Sequence, residues 1–215
     1  MTTATTARPQ DAATRSLHAW GTPVFQADFD GTAHNPVLRQ MILEAEKTDP
    51  DAALFGGINA IKSSAGLLQW EHPAIDWIKS RIRQAVTALM ASELGDAASQ
   101  VRQGLRAEAW AVVYRGGGSL RPHIHHDSAW SGVYYVAAGD PDAADAGWLQ
   151  LLDPRPAAVA TGASGGSHRI RPLPGRMVAF PGWLYHSVQA TAAGDSLRIA
   201  VAWNVAYTEE GPREQ

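Results

Sequence analysis

Cysteine is missing altogether from the 215 residues. That removes disulfide staples, zinc–thiolate sites, iron–sulfur clusters and thiol nucleophiles together, so any metal must rest on histidine and carboxylate ligands. Also missing is a run of basic residues. The 18 Lys and Arg are scattered against 21 Asp and Glu, for a net charge of −3 and a pI near 6.2. A nucleic-acid partner needs clustered cations and is not expected here. No apolar stretch approaches the ~20 residues of a membrane span. The opening MTTATTARPQDAATRS is small and polar with no apolar h-region, so neither a signal peptide nor a membrane partner is expected, and a cytoplasmic location is the default.

What is present is an ordinary globular composition, 45% hydrophobic. The expected organisation is a flexible tail over residues 1–16, one domain over 17–207 that includes its helices, and a short tail over 208–215. TPVFQADF (22–29) alternates like a strand. Asn35-Pro36 reads as a cap followed by proline at the first helical position, opening a helix over about 36–47. Residues 49–69, rich in Gly, Ser and Asn, read as a long loop. Pro73 opens a second helix to about residue 94, where Ile75, Ile78, Ile82, Ala85, Val86 and Leu89 form one apolar stripe before Gly95. From Leu105 the period shortens. Segments around 107–114, 130–138, 147–152, 168–173, 176–181, 184–190 and 197–207 read as strands. Arg155–Ser167 reads as a surface loop. Short strands following helices predict a mainly β protein, a barrel or jelly roll with helices packed outside.

Three segments carry the chemistry. In RPHIHHDS (121–128), His123 and His125 lie two apart, so an extended strand points both imidazoles to one face. Such a pair suits Fe, Zn, Cu or Ni, although a polar turn gives the same pattern. In PGRMVAFPGWLYHSVQ, His186 stands after an apolar strand and offers a third ligand. Three ligands on one face leave positions of an octahedral metal open. In DSLRIAVAWN, alternation puts Arg198, Ala200, Ala202 and Asn204 on one face. If that face is the barrel interior, Arg198 is a buried cation that requires an anion. The anion is either the carboxylate of a small ligand, gripped by the guanidinium fork, or an Asp or Glu in a structural ion pair.

With these pieces in order, Tyr114-(x)8-His123-x-His125, SGVYYV, PGRMVAFPGWLYHSV and Arg198-Ile-Ala-Val, the chain resembles the Fe(II)/2-oxoglutarate dioxygenases, nearest their prolyl-hydroxylase-like branch. It is more similar still to a bacterial and phage group of 2-oxoglutarate oxygenases with the pattern H-x-H…SGVYY…FP-x-x-L-x-H-x-V…R-I-x-x-x-x-N. The likeness runs over roughly residues 105–207. It implies a double-stranded β-helix, Fe(II) and 2-oxoglutarate as cofactors, and hydroxylation of a small molecule or protein side chain with release of succinate and CO2. It implies His123 as first ligand and His186 as distal ligand. Arg198 would bind the 5-carboxylate of 2-oxoglutarate, Tyr135 would hydrogen-bond it, and Tyr114 would line the pocket. The sequence departs from the wider family at His125, where an acid is usual. Either His123, His125 and His186 form an all-His triad, or His125, Asp127 and His186 form the standard set. Spacing from Tyr114 and Pro122 favours the first, with Asp127 left to orient an imidazole. Trp130, Trp148 and Trp183 are placed near the mouth. Two other readings stand beside this one: a cupin-like three-His metalloenzyme without 2-oxoglutarate, and a non-catalytic metal- or ligand-binding module. A homodimer is allowed for.

Overall fold

The computed structural model describes residues 21–49, 57–95, 104–140, 143, 145–155 and 166–208. Two helices and nine strands organise them: β1 (Phe25–Asp28), α1 (Asn35–Glu46), β2 (Gly57–Lys62), α2 (Pro73–Leu94), β3 (Leu105–His123), β4 (Trp130–Ala138), β5 (Leu149–Leu152), β6 (Ser167–Ile170), β7 (Arg176–Pro181), β8 (His186–Val188) and β9 (Arg198–Tyr207). The strands form one antiparallel sheet in the order β1-β7-β4-β9-β3-β8-β5-β6, with β2 paired to β3. The sheet curls into a half-barrel, the double-stranded β-helix that the family resemblance implies, in agreement with the barrel or jelly roll read from the strands.

The period of two in the central strands builds the interior. On β9, Ile199, Val201, Trp203 and Val205 turn outward and join the core made with Leu38 and Ile42 of α1 and Ile75, Ile78, Ile82 and Leu89 of α2. The alternate residues turn inward, with Ala200 packing among Tyr135, Leu149, Val178 and Phe180. A one-residue slip of β9 would exchange these faces, putting Arg198 against the helices. Gly132 of β4 is needed for the close approach, because a Cβ there would overlap the ring of Trp203.

The long helix follows its predicted stripe residue for residue: Ile75, Ile78, Ile82, Ala85, Val86 and Leu89 are all buried. Its N-cap is His72, whose Nδ1 accepts from the Ala74 N–H at 3.0 Å. It ends at Gly95, which has φ +53. The first helix begins one residue earlier than read, at Asn35, with His34 as N-cap. Asn35 is therefore no cap, and its Oδ1 accepts instead from Tyr134 Oη at 2.6 Å, tying α1 to the sheet. The segment read as one long loop over 49–69 contains β2 and a 3-10 turn at Leu67–Gln69. Partnership with β3 makes β2 a strand despite its Gly and Asn, and Asn59 with φ +45 marks the register shift between Ile58 and Ala60. Most of the surface loop read over 155–167 lies outside the described residues, as does the N-terminal tail. Among the described residues no helix is long and apolar enough to cross a membrane.

Candidate metal centre

β3 and β8 bring the first two histidines together. His123, the last residue of β3, pairs in register with His186, the first of β8. The chain then leaves β3, and the His125 N–H donates to Gly182 O at 2.9 Å. Gly182 is packed so tightly against the Ser128 carbonyl that a Cβ would overlap it. The turn carrying His186 is thereby pinned to the segment carrying His125. The ring centroids lie 5.2 Å (His123–His125), 4.2 Å (His123–His186) and 5.3 Å (His125–His186) apart, and a potential ligand atom of each lies within 4.8 Å of the others.

Two of the rings have their tautomer set by the backbone. His123 Nδ1 donates to Arg121 O at 2.9 Å, and His186 Nδ1 donates to Leu184 O at 2.9 Å. A carbonyl only accepts, so Nδ1 carries the proton and Nε2 offers its lone pair. His125 Nδ1 lies 3.2 Å from Asn204 Nδ2. Asn204 is in turn held by Ser131 Oγ, which donates to its Oδ1 at 2.8 Å, and lies 3.4 Å from Glu108 Oε1. Burial, reinforced by repulsion from His123, pushes His186 down to about 3 and His125 to about 4, while burial and the Lys62 charge hold His123 below the usual range. All three are neutral near pH 7, the form that ligates a metal. Asp127 lies in an exposed turn outside this group. It orients none of the imidazoles, for the bonding positions belong to Arg121 O, Leu184 O and Asn204.

Behind the histidines lies a buried cation. Arg198 opens β9 opposite Tyr114 of β3 and is only 1% exposed. Its Nε and Nη1 have no hydrogen-bond partner, nor has Tyr135 Oη. The guanidinium carbon sits 4.5 Å from the centre of the Tyr114 ring and 5.0 Å from that of Tyr135. Gly147, with φ +66, leaves room for the Arg198 stem, which a Cβ would meet at 3.1 Å. Among the described residues no acid forms an ion pair with Arg198, so none of them accounts for it by a structural salt bridge. One cavity of about 70 Å³ is lined by the three histidines at one side and by Tyr114 and Arg198 at the other. A small dianionic acid bridging a metal and Arg198 would satisfy both. The donor set therefore fits iron together with a 2-oxo acid.

Residues 108–204 match the model of a family described as "Putative 2OG-Fe(II) oxygenase". The chain has all three histidines and Arg198 within that stretch. Its fold is shared with a prolyl-4-hydroxylase of Pseudomonas putida, at 16% identity and TM-score 0.60, over 87% of this chain and 93% of that one. It is shared also with a prolyl hydroxylase of Trichoplax adhaerens, solved with a peptide of hypoxia inducible factor, at 16% identity and TM-score 0.54, over 86% and 82%. The epimerase SnoN, in complex with Fe3+, alpha ketoglutarate and nogalamycin RO, matches at 10% identity and TM-score 0.56, over 89% and 86%. No curated protein sequence matches the chain.

Of the three tryptophans placed near the mouth of the site, Trp130 is buried in the outer core against the helices. Trp148 packs under Arg169, and Trp183 is half exposed. The tryptophan beside the metal centre is Trp110, whose ring centroid is 5.9 Å from that of His125. Alternation in β3 was the signal for it, since Trp110, Val112 and Tyr114 share the inward face.

Proposed function

We propose that His123, His125 and His186 hold Fe(II), that Arg198 and Tyr135 hold the 5-carboxylate of 2-oxoglutarate, and that the chain hydroxylates a small molecule or a protein side chain with release of succinate and CO2. The observation that carries this reading is the buried Arg198, its Nε and Nη1 without a hydrogen-bond partner and no described acid paired with it, lining the same cavity as the three histidines.

Bound there with dioxygen, iron and 2-oxoglutarate supply the oxidising power that no side chain of the protein possesses. The chain's own residues bind, orient and shield. Three neutral imidazoles on one side leave the remaining coordination positions free for the cosubstrate and oxygen. An all-His set leaves the metal one charge more positive than a set with a carboxylate, which favours an anionic cosubstrate. The Arg198 fork grips a carboxylate bidentately. Burial raises the Tyr135 phenol above its usual range, with the Arg198 charge pulling it partly back, so the hydroxyl remains a donor at neutral pH. Tyr114, also raised by burial, lays its ring along the guanidinium and closes the wall. Val133, Leu149, Phe180 and Ala200 keep the chamber apolar, which strengthens each charged contact within it.

Anaerobic titration with Fe(II) and then 2-oxoglutarate tests the reading. A weak visible metal-to-ligand band is expected in the native protein, and Arg198→Leu should abolish it while iron content persists. A native protein with full iron and no band overturns the reading.

A further inference from the structure

The metal centre has a second, outer chamber of about 280 Å³ that shares His123, His125 and Trp110 with the inner one. Its size is at the lower edge of small-molecule pockets, about 300–1,000 Å³. Leu120, Ile124 and Trp110 give it apolar walls, while Lys62 and Arg121 give it two cations. No acid lines it among the described residues.

Lys62 is the distinctive member. It ends β2 opposite Val112 of β3, which turns its stem along the chamber wall. Its Nζ stands 4.0 Å over the Trp110 ring. It lines the same chamber as His123 and His125. Glu108 attracts it, but the two form no ion pair among the described residues, and the Glu108 carboxylate faces Asn204. A half-buried ammonium held at an aromatic face, with no carboxylate bound to it, is a ready anchor for an anion.

We propose that the outer chamber binds the prime substrate and that this substrate is a small organic acid, its apolar body against Trp110, Leu120 and Ile124 and its anionic end on Lys62. The proposal rests on the oxygenase reading above and narrows its substrate class. It places the reacting carbon of the acid on the side of the histidines, with Lys62 as the residue that determines specificity.

The test uses the Fe(II) protein, kept anaerobic and saturated with 2-oxoglutarate so that Arg198 is already engaged. Three probes of similar shape are titrated calorimetrically: 3-phenylpropanoate, phenyl phosphate and the neutral 3-phenylpropanamide. At least one anion should bind about tenfold or more tightly than the amide, a difference typical of a charged hydrogen bond. The tighter of the two anions tells whether a carboxylate or a phosphate ester is the preferred end group. Lys62→Met should remove that advantage and Lys62→Arg should restore most of it. Persistence of the 2-oxoglutarate band in both variants shows that they fold and keep the inner site. Equal binding of amide and anions, an undiminished preference in Lys62→Met, or no binding of either anion overturns the proposal. Failure of the oxygenase reading would look different, because the native protein would then lack the band before any probe is added.

Discussion

Asn204 is the side chain through which β9 reaches the metal centre. Its amide meets His125 Nδ1 and is anchored by Ser131 on β4. A half-turn of the amide exchanges its oxygen and nitrogen, so Asn204 can serve either tautomer of His125, including the Nδ1–H form that frees Nε2. Removing such a partner typically lowers metal affinity 10–100-fold. Asn204→Leu should therefore weaken Fe(II) binding by about that factor in a chelator competition, while Asp127→Ala should leave it unchanged. A reversed pattern would return Asp127 to the ligand set. At this scale the sequence was informative where a residue type is costly to bury. Two histidines on one face, a third histidine in an apolar strand and an arginine inside an alternating run each demanded a chemical reason. Trp110 and Lys62 made no such demand, since an aromatic in a strand and a lysine in a polar segment are ordinary.

The two helices are braces whose apolar stripes cover the outer face of the sheet. Ile78 of α2 is wholly buried in that layer, so Ile78→Ala should cost about 2–5 kcal/mol, the usual range for truncating a core aliphatic. A urea midpoint measurement checks this, and a loss below about 1 kcal/mol would mean that the helix packs loosely. Gly132→Ala acts on the sheet itself. The added methyl meets the Trp203 ring between two central strands, and overpacking of this kind costs about 1–3 kcal/mol or more. Differential scanning calorimetry should show a lower melting temperature. The helices and central strands were legible because long periodic segments announce themselves. β2 was not, because Gly57, Asn59 and the Ser63-Ser64 pair carry turn chemistry, and the segment is a strand only through its ladder with β3. The same holds for the later half of β3. There the Gly116-Gly117-Gly118 run, with Gly117 at φ +75, interrupts the pattern while the strand continues to His123.

Across the whole molecule, three buried phenols set a limit on alkaline stability. Burial pushes Tyr134 up to about 12 and raises Tyr114 and Tyr135 as well. A group whose folded pKa is raised contributes stability in full below its unfolded value, near 10 for tyrosine, and loses it as pH climbs through the folded value. The melting temperature should thus hold to about pH 10 and fall steeply toward about pH 12. Tyr134→Phe should soften that slope while removing about 1 kcal/mol at neutral pH with the Asn35 hydrogen bond. A slope unchanged by the substitution would assign the alkaline loss elsewhere. The long-range ties of the metal centre have a kinetic counterpart. His125 meets an Asn204 that is 79 residues further along the chain, and His123 lies beside its partner only once β3 and β8 have closed on each other. Contacts of such high contact order form late, because the loops between them must close first. During synthesis, the ribosome must release β9 before the imidazoles and Arg198 can stand around one cavity. On the function proposed above, a site for iron is thus offered only by a chain whose sheet has closed around β9.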